Sequence, residues 1–138
     1  MVFYTAGPWK DRENVRKIAD TLKENGWTVN SRWLEAEDVH EDDPHRTQYL
    51  YEQAVADLED VFAADALIYV NSMKSEGKAT ELGVAIATLK PIIVIGDRKN
   101  NVFLNLNIPA YPTIEAAVEW IKEQEGLAHA IKGSAHIR

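Results

Sequence analysis

The feature that most constrains the fold of this chain is an alternation of short apolar runs with longer segments of helical periodicity. Apolar runs occupy residues 2–6, 66–70 and 91–95. Between them, apolar residues recur at steps of three and four, which is typical of amphipathic helices. Strands that alternate with helices form βαβ units, in which helices cover both faces of a parallel sheet. The sequence therefore predicts an α/β fold with a doubly wound sheet.

Weaker patterns complete this prediction. Two further strands are short and fall at residues 27–30 and 108–111. Helical periodicity predicts four helices, at residues 11–25, 47–63, 78–89 and 113–124. The second helix should direct one stripe inward, formed by Leu50, Ala54, Leu58 and Val61. The expected architecture is a flavodoxin- or Rossmann-like sheet of five parallel strands.

The length of 138 residues fits one domain. We assign residues 1–125 to this domain, since no internal repeat or second apolar core is evident in the sequence. The periodic pattern weakens after Gly126, and residues 126–138 are expected to form a mobile C-terminal tail. Residues 35–46 are acidic and polar, which predicts a long surface loop.

Composition and charge restrict the class of function. The chain has no cysteine, so it has no thiol nucleophile and no cysteine-ligated zinc. Its net charge of −7 disfavours a nucleic-acid polymer as partner, because binding phosphates along a polymer needs clustered Lys and Arg. A small anion remains compatible, since one helix N-terminus can bind it. No apolar run suits a membrane span and the first residues do not resemble a secretion signal, so a cytoplasmic location is expected.

Ligands of open parallel sheets bind at the carboxyl ends of the strands. Here three loops should leave those ends, at residues 7–10, 71–78 and 96–101. The middle loop leads into the third helix, whose N-terminal amides and dipole suit an anion such as a 5′-phosphate. In the first loop, Trp9 could stack on a base.

Glu81 should fall in the first turn of the third helix, where the helix dipole favours its ionised form. An ionised carboxylate held in a cavity is the group that a nucleophilic attack on an anomeric carbon requires. A glutamate at this place can equally serve only to stabilise the helix dipole, and from the residues alone this second interpretation is the commoner one.

Asp57 is a second unusual carboxylate, because it shares the inward stripe of the second helix with Val61. An inward acid needs either a hydrogen-bond partner or a catalytic role. Its partner could be a loop, Arg12 or Arg32, and these alternatives stay open. The nearby Asp60 is expected to be solvated.

The chain resembles the nucleoside 2-deoxyribosyltransferase family, which includes the 2′-deoxynucleoside 5′-monophosphate N-glycosidases. Three segments carry this resemblance, namely FYTAGPW at residues 3–9, DLEDV followed by AD at residues 57–65, and SEGKATELGVA at residues 75–85. They occur in the order of the family's motifs, and the resemblance covers about residues 2–121, nearly the whole domain. The resemblance implies an enzyme that cleaves the N-glycosidic bond and needs no cofactor or metal.

The resemblance also implies residue roles. Glu81 would attack C1′ and form a covalent deoxyribosyl intermediate, while Asp57 would assist the departing base. The substrate would be bound by Tyr4, Gly7, Trp9, Ser75, Gly77 and Asn101. Asn101 is implied as a donor to the site of a neighbouring subunit, in a homodimer or higher homo-oligomer with shared sites.

Three functions remain open at this point. The first is transfer of deoxyribose between bases, and the second is hydrolysis of a deoxynucleoside 5′-monophosphate to the free base and deoxyribose 5-phosphate. Ser75 favours a nucleotide, because an acid at its position would repel phosphate and a hydroxyl does not. The third is a non-catalytic nucleotide-binding or signalling domain. It is disfavoured because the first and third strands do not end in acidic residues.

Overall fold

The computed structural model describes residues 1–137, and the side chains of residues 1–127. Five strands form one sheet, at Val2–Ala6 (β1), Thr28–Val29 (β2), Ala66–Asn71 (β3), Ile92–Gly96 (β4) and Ala110–Tyr111 (β5). All neighbouring strands are parallel, and their order is β2-β1-β3-β4-β5. The predicted doubly wound α/β fold is therefore confirmed.

Four α-helices connect and cover these strands, at Arg12–Glu24 (α1), Arg46–Ala63 (α2), Glu76–Ala87 (α3) and Ile114–Ile137 (α4). Helix α1 packs next to α4, and α2 packs next to α3, so the helices form one pair on each face of the sheet. The central strands are buried on both faces, which explains why they are continuous apolar runs without alternation.

The chain reverses direction across the sheet between β1 and β3. It leaves β1 towards β2 on one side and later returns to place β3 on the other side, with Ala6 paired to Tyr69. In such sheets a crevice opens at the carboxyl ends of the two strands where the order reverses. Gly7 follows β1 at this crevice, and a Cβ there would lie 2.5 Å from Val15 Cγ2. Only glycine therefore lets this loop approach α1 so closely.

Helix α2 differs from the prediction in the face that it buries. Of the predicted inner stripe only Val61 is buried, whereas Leu50, Ala54 and Leu58 are exposed. The predicted inner stripe is therefore wrong for these three residues, because the amino-terminal part of α2 extends over the crevice instead of packing on the sheet. Apolar periodicity alone does not distinguish these two placements.

Helix α4 is longer than predicted and runs through Gly126 to Ile137. The end of the domain at residue 125 remains a prediction. None of the helices that the structure describes combines the length and the apolar character required to cross a membrane.

Candidate active site

A cavity of about 320 Å³ lies at the carboxyl ends of β1 and β3, bounded by α2 and the start of α3. Six of the eight residues predicted for the site line this cavity, namely Gly7, Trp9, Asp57, Ser75, Gly77 and Glu81. Residues remote in sequence therefore converge where the sheet topology places a ligand.

The other two predicted residues lie elsewhere. Tyr4 is fully buried beneath the cavity, and its hydroxyl donates a hydrogen bond to Glu81 Oε2. Asn101 lines a separate cavity of about 190 Å³, which it shares with Ser75 and Lys78. Its Oδ1 accepts a hydrogen bond from the backbone N–H of Phe103, 3.0 Å away. Within one chain, Asn101 therefore does not line the cavity that contains Glu81.

Glu81 is more deeply buried than its sequence position suggested. Helix α3 begins at Glu76, so Glu81 lies in the second turn rather than the first. Only 9% of the surface of Glu81 is exposed. Burial raises the pKa of its carboxyl from an ordinary 4.5 to about 8. The expected ionised carboxylate is therefore protonated in most molecules at neutral pH, because the loss of solvation outweighs the helix dipole.

Asp57 faces the same cavity from α2 and is half-buried. Its Oδ1 is a buried oxygen that has no hydrogen-bond partner in the described part of the chain. Burial, with a smaller contribution from the charge of Asp60, raises the pKa of Asp57 to about 6, while Arg32 opposes the shift. The group can thus both hold and release a proton near neutral pH.

The arginines proposed as partners of Asp57 bind elsewhere. Arg32 donates to Asp60, with Nη2 2.9 Å from Oδ1, so Asp60 is buried and paired rather than solvated as predicted. Arg12 donates to the carbonyl of Ala36 at 2.7 Å. Its guanidinium also stacks over Trp9, 4.0 Å from the ring centroid. Asp57 is left free to face the cavity.

The amino-terminal end of α3 is held by a buried lysine. The Ser75 hydroxyl caps the helix by accepting from the backbone N–H of Lys78, at 3.3 Å. The Lys78 ammonium donates to the carbonyls of Val70 and Met73 and to Asn71 Oδ1, at 3.3, 2.5 and 3.1 Å. Burial lowers the pKa of Lys78 to about 8. Lys78 therefore anchors the loop that carries Ser75.

The outer wall of the cavity was not predicted from the sequence. One face of α2 supplies Arg46, Tyr49, Leu50 and Gln53 in addition to Asp57, and residues 36–39 close the opposite side. The Tyr49 hydroxyl fixes that segment, since it lies 2.8 Å from the backbone N of Glu37 and 3.0 Å from its carbonyl. The spacing of Arg46, Gln53 and Asp57 follows one helical face, a signal that could have identified them.

The loop before α2 carries His40 and His45. His40 and Asp42 are exposed, with 3.6 Å between Nδ1 and Oδ2. Within the described residues, no three histidine or carboxylate side chains are grouped so that they could hold a metal ion.

Comparison with protein families agrees with this geometry. The model of the nucleoside 2-deoxyribosyltransferase family matches residues 3–131. The chain belongs to this family. The match includes every residue of the cavity described above and all five strands except Val2 of β1. No curated protein sequence matches the chain.

Solved structures share the fold of this family member. A conserved protein from Enterococcus faecalis V583 superposes with a TM-score of 0.66 at 19% identity, over 90% of this chain and 98% of that one. A 2-deoxyribosyltransferase from Bacillus psychrosaccharolyticus gives 0.58 at 21% identity, over 85% and 90%. A CMP N-glycosidase from Clostridium botulinum gives 0.54 at 17% identity, over 88% and 98%.

Proposed function

We propose that this protein cleaves the N-glycosidic bond of a 2′-deoxynucleoside or its 5′-monophosphate and transfers the deoxyribosyl group to another base. The observation that carries the proposal is that Glu81 and Asp57 face one cavity in different environments. Two titratable groups whose surroundings separate their pKa values are typical of acid–base and nucleophilic pairs. Family relatives named as a deoxyribosyltransferase and a CMP N-glycosidase support the same reaction class.

In the first half-reaction, Glu81 loses its proton and one of its oxygens attacks C1′. The bond from C1′ to the base nitrogen breaks, and the base leaves with the electron pair while an ester forms on Glu81. Asp57 supplies the proton that the departing base needs. The proton released by Glu81 replaces the one that Asp57 gives up, so this half-reaction consumes no net proton.

In the second half-reaction, a nitrogen of an incoming base attacks C1′ and the ester to Glu81 breaks. Asp57 returns its proton to the Glu81 carboxylate that the ester releases and takes the proton of the incoming base, which reverses the first half-reaction. Trp9 is 39% exposed at the cavity edge, and its ring centroid lies 6.4 Å from that of the buried Trp33. These rings provide flat apolar surface on which either base can stack.

The second candidate is hydrolysis of a deoxynucleoside 5′-monophosphate, in which water takes the place of the incoming base. The observation that favours it is the amino-terminal end of α3. There the cavity is lined by a serine and a glycine, Ser75 and Gly77, neither of which would repel a phosphate. Backbone N–H groups at such an end suit a phosphate. The buried ammonium of Lys78 adds positive charge beneath it.

A homo-oligomer with shared sites is part of this proposal. Helix α2 exposes apolar side chains at steps of three and four, namely Tyr51, Val55, Leu58 and Phe62. An exposed apolar stripe of this kind fits contact with another protein surface. Asn101, which lies outside the cavity of its own chain, would in such an assembly reach the sugar in the site of a neighbour.

A product assay tests the two reactions. We expect the protein to release a free base from a deoxynucleoside or its 5′-monophosphate, with exchange when a second base is supplied. A nucleoside product containing the supplied base indicates transfer, and deoxyribose 5-phosphate indicates hydrolysis. If no monophosphate reacts faster than its nucleoside, the role given to Ser75 is wrong.

The matched variant is Glu81→Gln, which keeps size and burial but removes the nucleophile. We expect turnover to fall by about 10⁴-fold or more, as for loss of a covalent nucleophile, with an unchanged circular dichroism spectrum. Wild-type protein quenched during turnover should show a mass increase on the peptide that contains Glu81. Full activity of the variant would refute the proposed mechanism.

A further inference from the structure

Two buried polar atoms of the cavity have no hydrogen-bond partner in the part of the chain whose side chains are described. Among the side chains described, up to residue 127, three buried nitrogen or oxygen atoms are unpartnered, and Arg46 Nε and Asp57 Oδ1 are two of them. Both residues line the cavity. Because an unpaired buried polar group costs free energy, such groups in native proteins point to a missing partner.

The two atoms belong to opposite ends of one helical face. Residues 46 and 57 are separated by three turns of α2, about 16 Å along the helix axis, and Gln53 lies between them on the same face. Arg46 Nε can only donate a hydrogen bond, and an ionised Asp57 can only accept one. A ligand that satisfies both must offer an acceptor at the Arg46 end and a donor at the Asp57 end.

The order of residues along the cavity assigns these ends to parts of a nucleotide. In the proposed function, the sugar lies between Asp57 and Glu81, and a 5′-phosphate lies at Ser75 and Gly77. The base therefore extends the other way, along α2 towards Gln53 and Arg46. Glu37 and Asp38 also line this end and would repel a phosphate.

We propose that Arg46 selects bases with an exocyclic oxygen on their outer edge, namely 6-oxopurines and 4-oxopyrimidines, over the corresponding amino bases. The inference rests on the proposed function and adds a base specificity to the same site. Guanine offers O6 and N7 as acceptors, and thymine offers O4, whereas adenine and cytosine present an amino group at the same place. An amino group there would face the N–H groups of Arg46 and leave both unpaired.

The surroundings of Arg46 support this role. The guanidinium groups of Arg16 and Arg32 form ion pairs with carboxylates. Within residues 1–127, no carboxylate lies within ion-pair distance of the Arg46 guanidinium. Glu37 and Asp38 on the facing segment can accept from the ring N–H that accompanies an oxo group in guanine or uracil. This end of the cavity thus offers a donor and acceptors, which is the complement of an oxo base.

Pairs of substrates that differ only at this group test the inference. We expect kcat/KM to be higher for dIMP than for dAMP, or for dUMP than for dCMP, and the pair concerned identifies the ring. In Arg46→Met, which keeps length but has no donor, this ratio should fall by about 10- to 100-fold, the range for a bidentate contact to a base. The loss should come from the oxo substrate alone, with Arg46→Lys intermediate.

Arg98→Met is the matched control, because Arg98 lies outside the cavity and donates to the carbonyl of Ile108. It should keep the wild-type ratio. A preference for the amino member of both pairs, or an unchanged ratio in Arg46→Met, would overturn the inference while leaving glycosidic cleavage intact.

Binding separates failure of this inference from failure of the proposed function. Calorimetry of Glu81→Gln with dIMP and dAMP measures recognition without turnover. If the wild type cleaves none of the four nucleotides but oxo bases still bind through Arg46, only the proposed reaction is wrong. If none is cleaved and Arg46→Met binds dIMP as well as its parent does, both proposals fall.

Discussion

The two walls of the cavity differ in how completely their polar groups are paired. On the α3 wall, Ser75 caps the helix, Lys78 donates to three oxygens and Glu81 accepts from Tyr4. On the α2 wall, Arg46 and Asp57 each keep a buried atom that no described residue pairs. The first wall is complete without substrate, whereas the second lacks groups that a substrate can supply. We infer that α3 holds the nucleophile in a fixed place, whereas α2 presents polar groups whose partners the substrate supplies.

The strongest test of this contrast is Asp57→Asn. Because the amide cannot exchange a proton with the base, we expect kcat to fall by about 10²–10⁴-fold, the usual contribution of a general acid. Its stability should not decrease, since the amide removes a half-buried charge that has no partner on Oδ1. Steady-state kinetics and urea unfolding at pH 7 measure the two effects.

Asp60→Asn is the matched control, one turn further along α2. Asp60 is buried and paired with Arg32, so its loss should cost about 1–2 kcal/mol of unfolding free energy, discounted because Arg32 is exposed. Its turnover should change far less than that of Asp57→Asn, because Asp60 reaches the reaction only through its small effect on the pKa of Asp57. If Asp60→Asn lost activity and Asp57→Asn only stability, the roles assigned to the two acids would be reversed.

The second test concerns the pH dependence of stability, which Glu81 should dominate on the α3 wall. Its pKa is about 8 in the folded protein and near 4.5 in the unfolded chain. Between these pH values, the folded protein keeps a proton that the unfolded chain has lost, so stability falls as pH rises from 4.5 to 8. We expect this loss to be on the order of 2–4 kcal/mol.

Chemical denaturation of wild type and Glu81→Gln at pH 5, 6, 7 and 8 gives the measurement. The difference between the two proteins removes the contributions of Asp57 and Lys78, which titrate in both. The unfolding free energy of Glu81→Gln, relative to that of the wild type, should rise steadily from pH 5 to pH 8. A constant difference across this range would show that Glu81 is not held protonated by burial.

The smallest effect is expected from Tyr4→Phe, which keeps the packing beneath the cavity. The Tyr4 hydroxyl donates to Glu81 and so favours the ionised carboxylate; its removal should raise the pKa of Glu81 further. Activity at pH 7 should fall about tenfold, equivalent to one hydrogen bond to a charged group, and recover at higher pH. A pH–rate profile whose acid limb does not move would contradict this coupling.

Much of the fold could be predicted because the signals are local. The apolar run of β1, the helical stripe of α1 and the loop after β3 all follow from neighbouring residues, and the structure places them as predicted. The stripe on α2 was assigned to the core and is largely exposed. Periodicity identifies an apolar face, but whether that face packs on a sheet, a cavity or another molecule depends on distant segments.

The site was predictable to a similar degree. The motifs around Glu81 and Asp57 indicated two carboxylates at one crevice, and the structure brings both to the same cavity. Arg46 and the segment 36–39 were missed, because their role depends on α2 extending over the crevice. The pairing of Asp60 with Arg32 was also missed, because it joins residues 28 positions apart.

The sequence by itself determined the order of strands and helices, the crevice at the ends of β1 and β3, and the acids that lie there. Only the tertiary structure decided the protonation of Glu81, the burial of Lys78 and the unpaired atoms of Arg46 and Asp57. The physical reason is that secondary structure follows from local periodicity. Solvation and hydrogen-bond pairing instead depend on which remote groups surround an atom once the chain has folded.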